Sequence, residues 1–356
     1  MKFFKTLIAA TLGTFLALVI VFFIGIITIS SSAEQPEPYV QNNSVLKINL
    51  SGSLPSRPQN NPLDELLNRK QNDKASLQTL KKNLTKAKND SKIKGVWLKI
   101  NVMSEGWANL EEAHDIIKAF RDSTDKFVYA STDDIGMNEK GYYLATAADS
   151  VFSPPETFFE FDGFFSQVMF MKGLFDKLGI SVDISRHGKY KGAVEPLFRK
   201  NLSEENAYQL NQLLDEVSNT FLSSVSEKSG HSIKELNDML NNEPHITANY
   251  AYKQNLIDSL MYNDEVVNYI KKRIGVGENG TLTTISNSRY ARVSASSAGL
   301  KQPTTSDKIA VIYANGPITA QVQSETPFNT NEYISSGFIK KQLDDIREDK
   351  DVKAVV

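Results

Sequence analysis

An unbroken apolar run dominates the start of the chain. No charged residue occurs from Thr6 to Ala33. As a helix, residues 6–29 would span roughly 36 Å, against about 30 Å for the hydrocarbon core of a bilayer. A helix buried in a soluble core would carry a polar face, and this run has none. The pattern therefore predicts a transmembrane helix within residues 1–33.

The charges on either side of this run predict its orientation. Lys2 and Lys5 lie before it, and Glu34 follows it. By the positive-inside rule, the N-terminus stays in the cytoplasm and the rest of the chain is exported. A cleaved secretory signal is the competing interpretation, but its apolar region would be about 7–15 residues long, far shorter than this one. We therefore predict an uncleaved, single-pass signal anchor.

Beyond a polar tether at 34–43, short strand-like segments alternate with amphipathic helical segments. One helical segment places four apolar residues on the same face, at Leu77, Leu80, Leu84 and Ala87. Strands that alternate with helices of this length are typical of right-handed βαβ units and a mainly parallel sheet. The pattern predicts an α/β fold with strands at 44–54, 93–100 and 126–131 and helices at 76–90 and 109–122.

The same pattern returns near the end of the chain. The segment 308–318 matches 45–54 in alternation and closing Gly, and 338–356 matches 77–97. The two matches have slightly different offsets, as expected for two repeats with unequal loops. The sequence therefore predicts a tandem duplication.

The second copy has only begun where the chain stops. Val356 lies inside an apolar strand, and a buried parallel strand needs neighbouring strands and covering helices. We therefore expect residues 307–356 to be the incomplete start of a second repeat that continues in a longer protein.

Two well-marked helices lie between the repeats. Ser203 is a predicted N-cap with acidic residues after it, and Ser232 and Glu235 form a predicted capping box. A stretch rich in Ser, Thr and Gly at 276–306 predicts a linker, which bounds the first repeat at 44–275. The helix after Ser203 has a predicted apolar face that consists of Leu210, Leu213, Leu214, Val217, Phe221 and Val225.

Composition narrows the possible chemistry. The formal net charge is −2, so the chain has no basic field for nucleic acid. It has no cysteine, which excludes disulfides, thiolate nucleophiles and cysteine metal sites. Its four histidines are scattered without metal-ligand spacing, so we expect no metal. Neither a nucleophile elbow nor a Gly-rich phosphate loop occurs, so we expect no cofactor.

One basic segment, 185–203, stands out because it contains Gly188 and Gly192 and directly precedes the helix capped by Ser203. By residue type alone, its Lys191 is an ordinary surface lysine, paired with Glu195 four residues later.

The motif GKYKGAVEP in this segment, followed by a Leu-Phe-Arg step, resembles the lysine segment of the family S49 serine peptidases, in the long, duplicated form of the signal peptide peptidases. Residues 141–157 and 163–184 resemble further motifs of that family. Residues 246–266 resemble its A-x-x-x-G-L-I-D stretch, with Asn255 in place of the usual Gly. The resemblance implies tandem ClpP/crotonase-like repeats that assemble as a homo-oligomer, a tetramer in that family.

The resemblance also implies a serine–lysine dyad. The matching general base is Lys191, with Lys189 as the alternative, and the family's serine lies beyond residue 356. Ser104 and Ser131 stand outside any matching Gly-rich turn and are poor nucleophile candidates. We therefore expect this chain to contain the base without the nucleophile and to be inactive alone. A free lysine, with a pKa near 10.4, is neutral in only about one molecule in 2,500 at pH 7, so it can rarely accept a proton. Burial among apolar groups can lower the pKa of a lysine by about 3–5 units.

Together with the predicted anchor, the resemblance implies an endopeptidase that degrades cleaved signal peptides and other apolar peptides at the outer face of a bacterial cytoplasmic membrane. The aromatic and Met residues of 158–171 either line a peptide groove or pack in the core. The alternative function is a non-catalytic, membrane-tethered ClpP-like assembly module. A crotonase-like enzyme for acyl thioesters is a third interpretation, which export from the cytoplasm disfavours.

Overall fold

The computed structural model describes residues 2–31, 36–58, 75–133, 135–242, 247–277, 279–301, 304–320 and 333–356. Parts of the predicted tether, linker and second repeat lie outside these residues. The chain divides into two compact units, and the boundary in the sequence lies between Tyr39 and Val40.

The first unit contains the helix α1 (Lys2–Ser31). Within it, Phe3–Val21 is long and apolar enough to cross a membrane, with a mean hydropathy of 2.1. The hydroxyl of Thr14 donates to the carbonyl of Ala10 at 2.7 Å, so this polar group is satisfied inside the helix, as a lipid environment requires. The predicted helix is confirmed.

A six-stranded sheet organises the second unit, and all of its neighbouring strands are parallel. From one edge to the other, its strands are β7 (Ser259–Leu260), β5 (Ser150–Ser153), β3 (Phe127–Ser131), β2 (Ile93–Met103), β1 (Ser44–Gly52) and β8 (Thr284–Ser286). A separate parallel pair consists of β4 (Gly136–Met137) and β6 (Phe158–Phe159). The predicted parallel α/β architecture is confirmed, and β2 runs three residues beyond its predicted end.

Helices connect these strands and cover the sheet. The predicted apolar face of the first covering helix is buried at Leu77, Leu80, Leu84 and Ala87. In chain order the helices are α2 (Leu77–Asn89), α3 (Trp107–Asp122), α4 (Glu139–Thr146), α5 (Lys172–Leu178), α6 (Glu195–Phe198), α7 (Glu204–Ser229), α8 (Ile233–Asn242), α9 (Ala248–Lys253), α10 (Asn263–Arg273), α11 (Asn287–Ala291) and α12 (Ser336–Glu348).

The alternation of side chains along the strands divides the core into two clusters. Leu46 and Leu98 belong to the larger cluster, together with residues of α2, α3, α4 and α7. Their neighbours Val45 and Trp97 belong to a smaller cluster with Ile270 of α10. Successive strand residues point to opposite faces of a sheet, so helices cover both faces, as a parallel sheet requires.

Part of the predicted linker is folded against the sheet. β8 pairs with β1, and Tyr290 of α11 is fully buried. The Lys86 ammonium donates to the carbonyls of Tyr290 at 2.6 Å and Val293 at 2.8 Å, and the Tyr290 hydroxyl bonds to Asp90. Residues 284–298 therefore belong to the first repeat rather than to a linker, because docking to α2 outweighs their loop-like composition.

The second βαβ unit consists of β9 (Lys308–Ala310), α12 and β10 (Val352–Val355), with β9 and β10 parallel. Its helix reproduces α2 closely: both have 13 residues, and Ser335 and Asp349 cap it where Ser76 and Asp90 cap α2. The two helices therefore share their length and their capping residues, and the tandem duplication stays a prediction.

The predicted apolar face of α7 is buried only in part. Phe221 and Val225 lie in the core, whereas Leu213 is 58% exposed. Only the C-terminal half of α7 reaches the core, and the chain that precedes α7 runs outside the core after Phe164, which still packs on Phe221. Of residues 163–194, all of which the structure describes, Gly192 alone is buried.

Candidate active site

The lysine segment is a loop between α5 and α7 that contains the short helix α6. Gly188 turns the chain with a φ of 102°, and the Lys191 N–H donates back to its carbonyl at 3.4 Å. The side chains of Lys189 and Lys191 are both exposed. The apolar neighbours expected to bury Lys191 are themselves exposed or half-buried at Ala193, Val194, Leu197 and Phe198.

The carboxylate of Glu195 lies at the centre of this loop and is fully buried. Its Oε1 accepts from the Ser203 hydroxyl at 2.6 Å and from the Arg186 guanidinium at 3.3 Å. Its Oε2 accepts from the Ser203 N–H at 3.0 Å and the Asn206 amide at 3.3 Å. The interpretation of Glu195 as a surface partner of Lys191 is therefore wrong, because the carboxylate points inward to the N-terminus of α7.

These contacts decide the charge of Glu195. Burial by itself raises the pKa of this carboxyl, but the hydrogen bonds from Ser203 and Asn206 outweigh burial, and the pKa of Glu195 lies below its ordinary value. The loop therefore encloses a carboxylate that stays ionised, with the Arg186 guanidinium as its counter-ion.

Arg186 connects this carboxylate to the backbone of the candidate base. The same nitrogen that contacts Glu195 donates to the Lys191 carbonyl at 3.1 Å. The guanidinium also lies over the Phe198 ring, 5.3 Å from its centroid. Arg186 therefore holds residues 188–192, which we call the lysine turn, against the start of α6.

The glycine after the candidate base is required by packing. A Cβ on Gly192 would lie 2.5 Å from the Asn206 side chain. A larger residue would therefore displace the amide that donates to Glu195. In this way Gly192 lets the lysine turn approach the first turn of α7.

Ser104 and Ser131 are the two serines of the first repeat that were weighed as nucleophiles. Ser131 is 2% exposed, and its hydroxyl accepts from the Trp97 indole at 2.8 Å. Ser104 is exposed, and its N–H donates to the Gly52 carbonyl at 2.8 Å. Among the hydrogen bonds of the described residues, neither hydroxyl pairs with a lysine or a histidine.

Some of the aromatic and Met residues of 158–171 pack in the core, and others are exposed as a peptide groove would require. Phe159 and Phe161 are fully buried in the larger core cluster. Phe165 and Met169 are 84% and 78% exposed. The core interpretation is therefore correct for the first pair, and the second pair presents an open apolar surface next to the lysine loop in sequence.

Asn255 has a physical role that explains the glycine of the related motif. Its φ is 57°, in the left-handed region, where glycine is favoured and asparagine is tolerated. Directly after it, the carbonyl of Leu256 accepts from the buried Tyr142 hydroxyl at 2.5 Å. The motifs at 141–157 and 246–266 therefore pack against each other in the core.

Sequence reasoning missed a second buried carboxyl, that of Glu139. It lies at the first position of α4 and accepts from the N–H groups of Asp162 at 3.0 Å and Gly163 at 2.6 Å. Burial raises the pKa of Glu139 to about 7, even though the two N–H groups favour the charged form. The only sequence signal is its position after the N-cap Asn138, which does not reveal burial.

Comparisons with known proteins relate the sequence around this site to a family. Residues 120–277 match the profile of peptidase family S49. The protein named serine protease SPPA, chloroplastic, from Arabidopsis thaliana is 32% identical over 90% of this chain and 45% of that protein. Protease 4 of Salmonella typhi is 29% identical over 77% of this chain and 43% of that protein. Protease 4 of Haemophilus influenzae is 27% identical, with 77% and 44% covered.

The chain therefore spans a little less than half the length of these relatives. Among solved structures, it is similar to a peptidase from Plasmodium falciparum, with 12% identity and a TM-score of 0.33 over 61% of this chain and 96% of that chain.

Proposed function

Because this chain contains a peptidase family S49 domain, as its motifs predicted, we propose that it is the membrane-anchored part of a serine–lysine endopeptidase with Lys191 as general base. The substrates are cleaved signal peptides and other apolar peptides. The observation that carries this proposal is the position of the lysine loop, 185–203, inside the segment that matches the family.

The chemistry of the base follows from the environment of Lys191. An ammonium exposed to water holds its proton at neutral pH and cannot accept one from a serine hydroxyl. Lys191 is exposed in this chain, so the proposed enzyme must cover it with a further part of the assembly that also brings the serine. Covering by apolar groups favours the neutral form of an amine, which is the form that accepts a proton from a serine hydroxyl.

The membrane location follows from α1. A signal peptide freed by its processing enzyme stays in the bilayer because it is apolar. A peptidase anchored by α1, with its N-terminus in the cytoplasm, meets that substrate at the outer face of a bacterial cytoplasmic membrane. The exposed apolar side chains of Phe165 and Met169 suit contact with an apolar peptide or with a second copy in a homo-oligomer.

The test uses the full-length protein in detergent and a synthetic apolar signal peptide, with cleavage followed by mass spectrometry. Lys191→Ala is expected to lower kcat by about 10²–10⁴-fold, the usual contribution of a positioned general base. Circular dichroism should show that the variant stays folded, because the Lys191 side chain is exposed. Lys189→Ala, two residues away, is the matched control and should keep near-wild-type kcat.

Two results would overturn the proposal. If Lys189→Ala abolishes cleavage while Lys191→Ala retains it, the base is Lys189. If the wild-type protein neither cleaves peptides nor reacts with a serine-directed fluorophosphonate, the chain belongs to a non-catalytic, membrane-tethered assembly module.

A further inference from the structure

We propose that Glu195 is a positioning residue for Lys191: through Arg186, Ser203 and Asn206, its buried carboxylate fixes the lysine turn to the N-terminus of α7. We call these four residues the Glu195 clasp. This inference rests on the proposed role of Lys191 as the general base.

The first part of the clasp fixes Glu195 to α7. Ser203 is the N-cap of this 26-residue helix, and its hydroxyl accepts from the Asn206 N–H at 3.2 Å. Both residues also donate to Glu195, through three separate groups. Since α7 reaches the core through Phe221 and Val225, the carboxylate is attached to a rigid element.

The second part passes from Glu195 to Lys191. Arg186 donates to both the Glu195 carboxylate and the Lys191 carbonyl. The only buried residue of the lysine turn is Gly192, which packs against Asn206. The clasp therefore fixes the Lys191 backbone from both sides while its side chain stays exposed.

The contacts require a carboxylate rather than an amide. Four donor groups from Arg186, Ser203 and Asn206 converge on the two oxygens of Glu195, two on each. A glutamine has one acceptor oxygen, so its NH₂ group would face two donors. An aspartate is one methylene shorter and cannot reach all four donors.

The experiment compares Glu195→Gln with Glu235→Gln in the full-length protein. Glu235 is a matched control because its carboxylate also accepts from the N–H and hydroxyl of a serine at the start of a helix, Ser232 before α8. Glu235 is exposed and lies outside the lysine loop, so Glu235→Gln should leave kcat and its pH profile unchanged.

For Glu195→Gln, amide hydrogen exchange in 185–203 should become at least about tenfold faster, since one lost hydrogen bond to a charged group corresponds to that factor. The kcat for peptide cleavage should fall by about 10–10²-fold with KM nearly unchanged, because a base misplaced by about 1 Å loses activity of that order. A changed pH profile of kcat, which a smaller amount of folded protein alone would not produce, separates positioning from simple loss of folded protein.

Unchanged exchange in 185–203 overturns the clasp whatever the activity does. Faster exchange with unchanged kcat and pH profile overturns its positioning role. The proposed function is tested by a different variant. If Lys191→Ala retained activity, Lys191 would not be the general base, but the hydrogen-exchange result for Glu195→Gln would still show whether the clasp exists.

Discussion

Replacing the buried Glu139 by glutamine tests how burial sets the pH dependence of stability in this protein. The Glu139 carboxyl is 5% exposed and accepts two backbone N–H groups on the same oxygen, Oε1. A glutamine keeps one acceptor oxygen for these groups and removes the charge. The substitution therefore changes the ionisation of the site and little else.

The magnitude follows from the pKa of Glu139, which burial raises from 4.5 to about 7. Between these two values the folded chain holds a proton that the unfolded chain releases, so the free energy of unfolding falls as pH rises from 4.5 to 7 and then levels off. At 1.36 kcal/mol per pKa unit, the full effect is about 3 kcal/mol, an upper limit. Glu139→Gln should therefore be more stable than wild type at pH 8 by about 1–3 kcal/mol and similar to it near pH 4.5.

Urea unfolding of the chain in detergent, followed by circular dichroism from pH 4.5 to 8, measures this difference. The exposed Glu112 on α3 provides the control: Glu112→Gln should show the same pH dependence as wild type. Parallel pH profiles for Glu139→Gln and wild type would refute the reasoning, because they would show that Glu139 does not titrate between pH 4.5 and 7.

Two further predictions concern residues that hold the first repeat together. Lys86→Ala removes an ammonium that donates to the carbonyls of Tyr290 in α11 and of Val293, two residues after α11. It should lower the free energy of unfolding by about 3 kcal/mol in urea titrations. The control Lys88→Ala, at an exposed position of the same helix α2, should change it by less than about 0.5 kcal/mol. The backbone at Asn255 is left-handed, so Asn255→Gly should be neutral or stabilising by up to about 1 kcal/mol. Asn255→Ala should be destabilising by about 1 kcal/mol. Thermal unfolding measures both variants, and the opposite order of stability would contradict the prediction.

Elements with a strong local pattern could be predicted from the sequence. The helix α1, the strands β1, β2 and β3, the buried face of α2 and the cap of α7 at Ser203 all lie within a residue or a few of their predicted places. These features depend on residues close together in the chain, through side-chain periodicity and capping hydrogen bonds. The lysine segment was likewise found from a short motif.

The tertiary structure alone decided which polar side chains are buried and what they contact. Lys86 and Tyr290 are 204 residues apart, so no local pattern shows that residues 284–298 dock on α2. Its composition, rich in Ser, Thr and Gly, predicted a linker because composition carries no information about this distant contact. The outward course of 163–194, which leaves half of α7 uncovered, also depends on packing between distant segments.

For the candidate site, the sequence by itself located Lys191 in a Gly-containing loop before a capped helix. It could not show that the Lys191 side chain is exposed or that Glu195, four residues later, turns inward. A helical spacing of four suggests a surface ion pair, but here the chain turns at Gly188 and Gly192 before α6 begins. The burial of Glu195 results from Ser203, Asn206 and Arg186 converging in three dimensions, and only the folded chain brings them together.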